Sequence, residues 1–591
     1  MLHSAVRVSF RPRPRNAALC AVGAVIFAFT FLLRFNDPGG SFAGLTDDHF
    51  FYLVRGWQIL FGDLPVRDFV DHGAPLYYYV GAAVQAVLGR GTLSEIEFSA
   101  AMLALAASLT FWVCERATGS IALGLVGAAF QLLLEPRFYN YPKLLAYAAA
   151  IPLLWHYADR PGWRPVLWIA VVTVVSFLFR HDHGALIGLS MAVLLVMLTG
   201  VRWTERLKHA ALYALCVALL TAPYLLFIER NGGVMSYFRQ AAAWAERDRD
   251  RAPVVWPGLL DNPDGVSDEA KQGGPVARAV ATVRDNGVAW LYYGEIALPL
   301  LALFVLAASR DGFRPSWPQA RAKLAMVAVL ALALDADFLR SPLAARLADP
   351  SVPLAILVAW LLVALPRLAA SPKSLAPWAA RTAWRARTPG LLAGVSILAV
   401  FAVVLSKDLY ERLDRSALVE RVGKPFERAA NIRRQMQVEW DLNSWMARPD
   451  RPELITLSLY VNACTAPDDR VLVEAYMPQV LGLARRAFAG GHADLRPGFF
   501  ATLEAQQLTL SRLQRQHVPI ILLDAGKSLD NFRESFPLVM AHIDEQYRLA
   551  GSHEFDGRFG VTLFVRKDAT PNGTWEPLGW PCYGTGQVSA S

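Results

Sequence analysis

The chain has 591 residues, 54% hydrophobic and 18% charged, with a net charge of +8 and a mean hydropathy of +0.30. Soluble domains average nearer a quarter charged residues, so this composition excludes a string of soluble domains and points to one large membrane protein. The basic excess is not the footprint of nucleic acid, because Lys and Arg sit mostly in short loops between apolar runs, where they report topology and contact with membrane lipids.

In chain order, RPRPRNAALCAVGAVIFAFTFLLRF has the basic flank of a signal peptide. Its apolar run is too long for a signal core and no small-residue cleavage site follows, so it reads as a retained anchor. Roughly twelve apolar segments follow the pattern of candidate spans, near 17–34, 75–89, 98–115, 119–135, 143–158, 165–180, 184–200, 208–228, 288–308, 322–338, 351–368 and 390–406. The Arg- and Lys-rich stretches RPGW, VRWTERLKH, SRDGFRPSWPQARAK and PRLAASPKSLAPWAARTAWRARTPG read as cytoplasmic. If Met1 and Arg160 share that side, an even number of spans separates them, yet five candidates intervene. The segment PLYYYVGAAVQAVLG (75–89) is short and tyrosine-loaded at one end, which suits an interfacial or re-entrant helix; the alternative is that it spans and one of the next two does not. The expected architecture is an α-helical polytopic membrane protein of about 11–13 spans, with a cytoplasmic N-terminus.

After Ser406 the character changes. Residues 407–448 are charged and helix-like; then strand-like runs DRVLVEA, PIILLDA and VTLFVRK alternate with stretches such as TLEAQQLTLSRLQRQ. That alternation predicts a C-terminal α/β domain over 407–591, beyond a membrane module at 1–406. No G-x-G-x-x-G or P-loop occurs in it, so nucleotide binding has no sequence support. Cys20, Cys114 and Cys216 lie in apolar runs as packing residues; Cys464 and Cys582 can pair if their domain lies outside the cytosol.

With this topology the loop 35–97, PRFYNYPK (136–143), RHDHG (180–184), 229–287 and DADFLRSPLAARLADP (335–350) share the outside face. Asp47 and Asp48 follow the first span directly. One carboxylate of such a pair can take a proton from a hydroxyl while the other orients that base or a cation. The competing explanation is helix capping ahead of FFYLVRGWQIL. The turn-rich segment beyond, GDLPVRD and DHGAP with Asp71 and His72, leads into Tyr77, Tyr78 and Tyr79. Those rings suit a sugar or isoprenoid groove, or an interfacial belt.

This pattern over 44–90, an acid pair, an apolar helix, G-D-x-P-x-R-D and G-x-P-L-Y-Y-Y, resembles the first outside loop of the C-type glycosyltransferase superfamily. That superfamily includes protein O-mannosyltransferases, aminoarabinose transferases, lipid-linked arabinosyltransferases and lipopolysaccharide-decorating transferases. The resemblance implies a donor sugar on polyprenyl phosphate and an acceptor glycan, lipid or protein outside the cytosol. It implies Asp47 or Asp48 as the base, with inversion at the anomeric carbon, at the outer face of a bacterial inner membrane and with a periplasmic C-terminal domain. Several relatives have Asp-Glu where this chain has Asp-Asp, which leaves open which acid is the base.

A departing phosphate needs cations near the membrane surface. Arg137, Lys143, Arg340 and Arg346 are the candidates, Lys143 and Arg340 being favoured; snorkelling at span ends is the other explanation of all four. His181, Asp182 and His183 fall at a junction of two spans, as sugar ligands or as a polar hairpin. A divalent metal on Asp48, His181 and Asp182 is conceivable but weakly signalled by this spacing. Asp335 and Asp337 interrupt an apolar run, where acids are functional candidates or mark the end of a span. Two other functions compete: a transporter or flippase of lipid-linked glycan, and a non-catalytic assembly partner. The first would carry internal repeats and midplane charges, which the sequence does not show; the second has no need of the acid pair.

Overall fold

The computed structural model describes residues 14–37, 47–250, 255–259, 275–309, 317–340, 346–370, 383–446, 452–474, 477–555 and 559–583. Its helices are α1 (Pro14–Asn36), α2 (Asp47–Leu60), α3 (Pro75–Leu88), α4 (Thr92–Thr118), α5 (Ile121–Leu133), α6 (Tyr141–Asp159), α7 (Trp163–Phe179), α8 (His181–Met197), α9 (Trp203–Arg230) and α10 (Val234–Asp250). There follow α11 (Pro275–Asp285), α12 (Gly287–Ala308), α13 (Ala320–Arg340), α14 (Ser351–Ala370), α15 (Ala383–Arg415) and α16 (Lys424–Trp440). All twelve apolar segments fall on helices. Four of these, α1, α4, α9 and α12, are long and apolar enough to cross a membrane, and α5, α7, α8, α14 and α15 supply shorter apolar stretches. At 14 residues, α3 reaches only about 21 Å, well under a bilayer core of roughly 30 Å.

Local chemistry sets these boundaries. Proline sits in the first turn of α3 and α6, where its missing N–H costs nothing. Ser120 caps α5 by accepting from the Leu123 N–H. Between α7 and α8 only Arg180 is extended, so the chain reverses within one residue. Gly184 makes that reversal possible: a Cβ there would collide with the Phe177 Cβ.

The two ends of α6 face different surroundings. At its last turn Asp159 binds Arg116 at 2.8 Å and also Lys323, while the Tyr157 hydroxyl meets His209 Nδ1 at 2.9 Å. These are the basic loops of the sequence, gathered together. The first turn of α6, about 28 Å away, carries Lys143 and meets the 180–183 and 346–350 segments.

The C-terminal domain contains α17 (Glu453–Cys464), α18 (Pro478–Ala484), α19 (Leu503–Leu513), α20 (Lys527–Ser535) and α21 (Pro537–Gln546) around strands β1 (Arg470–Val473), β2 (Ala487–Phe488), β3 (Ile520–Asp524), β4 (Tyr547–Phe555) and β5 (Phe559–Arg566). The sheet order is β2-β1-β3-β5-β4, parallel among the first three and antiparallel beyond. A hairpin, β6 (Gly573–Trp575) and β7 (Trp580–Cys582), completes it. Cys464 and Cys582 form a disulfide that ties the hairpin to α17. The three strand-like runs of the sequence are β1, β3 and β5. The expected boundary at 406 lies inside α15, which continues to Arg415.

The domain clasps the first loop. Arg470 binds Asp63 through both carboxylate oxygens at 2.5 and 2.9 Å. Gln58 exchanges hydrogen bonds with the Phe488 backbone, and the Val70 N–H donates to the Gly491 carbonyl at 3.0 Å.

One buried acid gives this domain a pH dependence. Glu474 follows β1 at 1% exposure, with Oε2 accepting the Asp524 N–H at 2.8 Å and Oε1 without a partner among the described residues. Burial pushes its carboxyl up to about 8; the Asp524 N–H opposes the rise and the Asp524 charge adds to it. With the folded pKa above the unfolded one, the folded state holds the proton more tightly, so stability falls as pH rises from the unfolded value to about 8. Glu474→Gln removes that proton from the balance. Its stability gain over wild type is expected to grow by on the order of 1 kcal/mol per pH unit across that window. Thermal melts at pH 5, 6.5 and 8 measure it; a gain independent of pH would refute the assignment.

Candidate functional site

Tyr77, Lys143 and His183 line one cavity and Asp71 and His72 a second. The first, about 20 Å³, is lined by Tyr52, Tyr77, Tyr139, Asn140, Pro142, Lys143, Phe179, Arg180 and His183. It is small for a ligand cavity and strongly aromatic. Tyr52 stacks on Tyr77 with ring centres 4.2 Å apart, and Tyr139 lies 6.2 Å from Tyr52. Tyr77 is buried here, so it lines the groove and does not belong to an interfacial belt; Tyr79, with 43% exposure, faces outward.

Asp47 and Asp48 open α2, and the Asp47 side chain lies outside the described residues. Helix geometry separates neighbouring side chains by about 100°, which leaves the two carboxylates free to divide the labour. Asp48 is half-buried, one turn before Tyr52 on the same face, and it is hydrogen-bonded to the Tyr139 hydroxyl. Burial first, and then the Asp48 charge, push the Tyr139 hydroxyl upward, so it keeps its proton against the carboxylate. Arg137 donates to the same hydroxyl at 3.3 Å from an exposed position.

Across the cavity Lys143 is buried and paired with Asp349 at 2.5 Å, and Asn140 Nδ2 donates to the other Asp349 oxygen at 3.4 Å. Arg180 meets Asp182 at 2.6 Å, and Asp182 meets His183 Nδ1 at 3.2 Å. The favoured cation Lys143 is thus at the cavity, while the side chain of the other, Arg340, lies outside the described residues, as does that of Asp337. Arg346 is half-buried at the start of the segment that ends in Asp349. Asp335 is buried in the bundle near Glu295, and among the described residues neither of its carboxylate oxygens has a hydrogen-bond partner.

His181 and His183 belong to the first turn of α8, where residues two apart point to roughly opposite faces. His183 turns to the Tyr147 hydroxyl at 3.2 Å, whereas His181 stacks on Phe177 at 4.3 Å and faces Tyr237 at 5.7 Å. Among the described residues no group of three or more His, Cys, Asp or Glu is placed to hold a metal ion, so Asp48, His181 and Asp182 do not assemble as one.

The second cavity, about 100 Å³, lies where the first loop, α9–α10 and the C-terminal domain meet. Asp71 lines it, but its carboxylate already accepts from Gly73 N and Ala74 N at 2.9 Å each, from the Tyr224 hydroxyl at 2.7 Å and from the Tyr237 hydroxyl at 3.0 Å. It clamps the loop to α9 and α10. Gly73, at φ 82°, accepts the His181 N–H and leaves only 3.0 Å between a would-be Cβ and the imidazole. His72 is buried between Phe51 (5.1 Å) and Phe500 (5.7 Å); burial, and then the Arg55 charge, hold its pKa well below the usual value. Phe51 packs in turn on Tyr52, so one aromatic chain links the two cavities.

Sequence reasoning missed Arg180, Asp349, Tyr52, Tyr139 and Arg512. Arg180 and Asp349 stood at the edges of motifs already singled out, and Tyr52 follows Asp48 at helical spacing. Nothing in the sequence connects Arg512 to the first loop.

No family model matches the chain, and no curated protein matches it. Among solved structures, the chain is similar to ArnT from Cupriavidus metallidurans, described as bound to undecaprenyl phosphate. The match covers 93% of this chain and 97% of that one, at 14% identity and a TM-score of 0.48. At that identity and score the likeness carries no weight for the site, which rests on the residues described above.

The Lys143–Asp349 pair can be tested for its structural part alone. Removing one member of a buried ion pair strands the other, at a cost of about 3–5 kcal/mol, whereas replacing both with apolar groups is often neutral. Lys143→Met is expected to lower the melting temperature in detergent sharply, and adding Asp349→Leu to restore most of it. Equal melting of the single and double variants would show that the pair is not coupled.

Proposed function

We propose that the chain is an inverting glycosyltransferase that moves a sugar from a polyprenyl-phosphate donor to an extracytoplasmic glycan, lipid or protein at the outer face of the bacterial inner membrane. The observation that carries this reading is the first cavity, with the Asp48 carboxylate behind its Tyr139 wall on one side and the buried Lys143 and half-exposed Arg180 on the other. Aromatic faces between them suit a sugar ring. Asp48, or Asp47 beside it, takes the proton of the acceptor hydroxyl. The hydroxyl oxygen bonds to the anomeric carbon, the bond from that carbon to the phosphate oxygen breaks, and polyprenyl phosphate leaves with the electron pair. Lys143 and Arg180 stabilise the charge that develops there. Attack opposite the leaving group inverts the anomeric centre.

The orientation has its own support. A disulfide forms and persists in an oxidising compartment, so the Cys464–Cys582 bond favours a C-terminal domain outside the cytosol and a cytoplasmic N-terminus.

Purified protein given radiolabelled polyprenyl-phosphate sugars is expected to release the sugar, and Asp48→Asn to slow this by about 10²–10⁴-fold. Asp47→Asn run beside it identifies the base; full turnover in both variants would refute the assignment. Product NMR reads the anomeric configuration, and retention would sink inversion. Because the described residues offer an ion no triad of ligands, turnover is expected to survive EDTA; loss restored by Mg²⁺ or Mn²⁺ would bring an ion to the Asp47–Asp48 end.

A further inference from the structure

The second cavity contains a cation that the reaction above does not use. Arg512, on α19, is 3% exposed. Its Nη2 donates to the Val66 and Arg67 carbonyls at 3.1 and 3.2 Å, while Nε and Nη1 are buried without hydrogen-bond partners among the described residues. Burial draws it down to about 10, so it is still a cation at neutral pH. The acids closest to it are otherwise engaged: Asp68 pairs with Arg67 and Asp63 with Arg470. A buried guanidinium with unmade donors costs free energy unless an acceptor meets it.

The rest of the lining gives the crevice a polarity. Ser236, Tyr237 and Gln240 of α10 supply neutral polar groups beside it, and the saturated Asp71 stands with His72 on the first loop. From His72 the aromatic chain through Phe51 and Tyr52 leads to the cavity whose Tyr139 wall is bonded to Asp48. A molecule seated here would keep an anionic group away from Asp71, on Arg512, and direct a hydroxyl-bearing part towards the first cavity.

We infer that this crevice is the acceptor site and that Arg512 binds a phosphate or carboxylate group carried by the acceptor. The inference rests on the transferase reading for the word acceptor; anion binding at Arg512 does not depend on it. Arg512 is a binding residue, contributed by the domain that clasps the first loop.

The test uses the full chain in detergent micelles and saturation-transfer NMR with three probes: glucose 6-phosphate, glucuronate and glucose. One or both anionic sugars are expected to bind at least about tenfold more tightly than glucose, and the comparison between them names the group. Arg512→Gln, which can still donate to one loop carbonyl, is expected to abolish that preference, a loss of about tenfold or more for a charged hydrogen bond. Ala241→Trp narrows the crevice from α10 without touching the guanidinium and is expected to weaken binding of the anionic sugars; it keeps the test decisive should the Arg512 variant not fold. Equal binding of the three sugars by wild type, or a preference that persists in Arg512→Gln, would overturn the inference, as would unchanged binding in Ala241→Trp. Sugar release from the donor to water, measured in parallel, reports on the transferase reading separately. Anion preference without any donor turnover would sink that reading and leave the Arg512 site standing.

Discussion

A lysine ammonium in an apolar helix bundle must have an anion beside it, and Lys143 finds one in Asp349, more than two hundred residues along the chain. That requirement brings the first turn of α6 and the segment ahead of α14 to the same level. Asn140 bonds the same carboxylate, so the short turn before α6 is held too, and with it Tyr139 against Asp48. The cavity that would serve the chemistry is thus assembled by charge neutralisation as much as by apolar packing. The opposite end of α6 solves the same problem with reversed signs, one acid, Asp159, serving Arg116 and Lys323.

The helices of the membrane module were legible because each apolar run is long and ends in charge, proline or glycine, signals that depend on neighbours in sequence. The domain strands β1 and β3 were legible for a related reason: RVLV and IILLD are buried on both faces and read as continuous apolar runs. The edge strand β4, YRLAGSHEF, was not, because an exposed edge needs no apolar alternation.

The site was legible in part. Asp48, Lys143, Tyr77 and His183 converge as candidates from separate motifs should, and the acid pair lies on a helix start where capping and catalysis ask for the same residue type. Asp71 went instead to the second cavity, and His181 to a stack with Phe177. Their spacing could not reveal this, since it follows from α8 beginning one residue after α7 ends and from Tyr224 and Tyr237 reaching the loop from α9 and α10. Arg512 was invisible for a plainer reason: its role depends on a contact spanning most of the chain.

That long reach has a consequence for biosynthesis. Phe500, Leu508 and Arg512 form one wall of the larger cavity, and the hairpin closed by Cys582 braces the same domain. Translation delivers the acid pair first and this wall last. A ribosome-bound chain therefore carries the residues of the aromatic cavity before those of the larger crevice's far wall. The crevice gains that wall only once residues 500–512 have been made, and the hairpin's tie to α17 only once Cys582 has followed. A chain truncated between the two would keep the carboxylates of the first loop and the wall, without the bond that braces the domain.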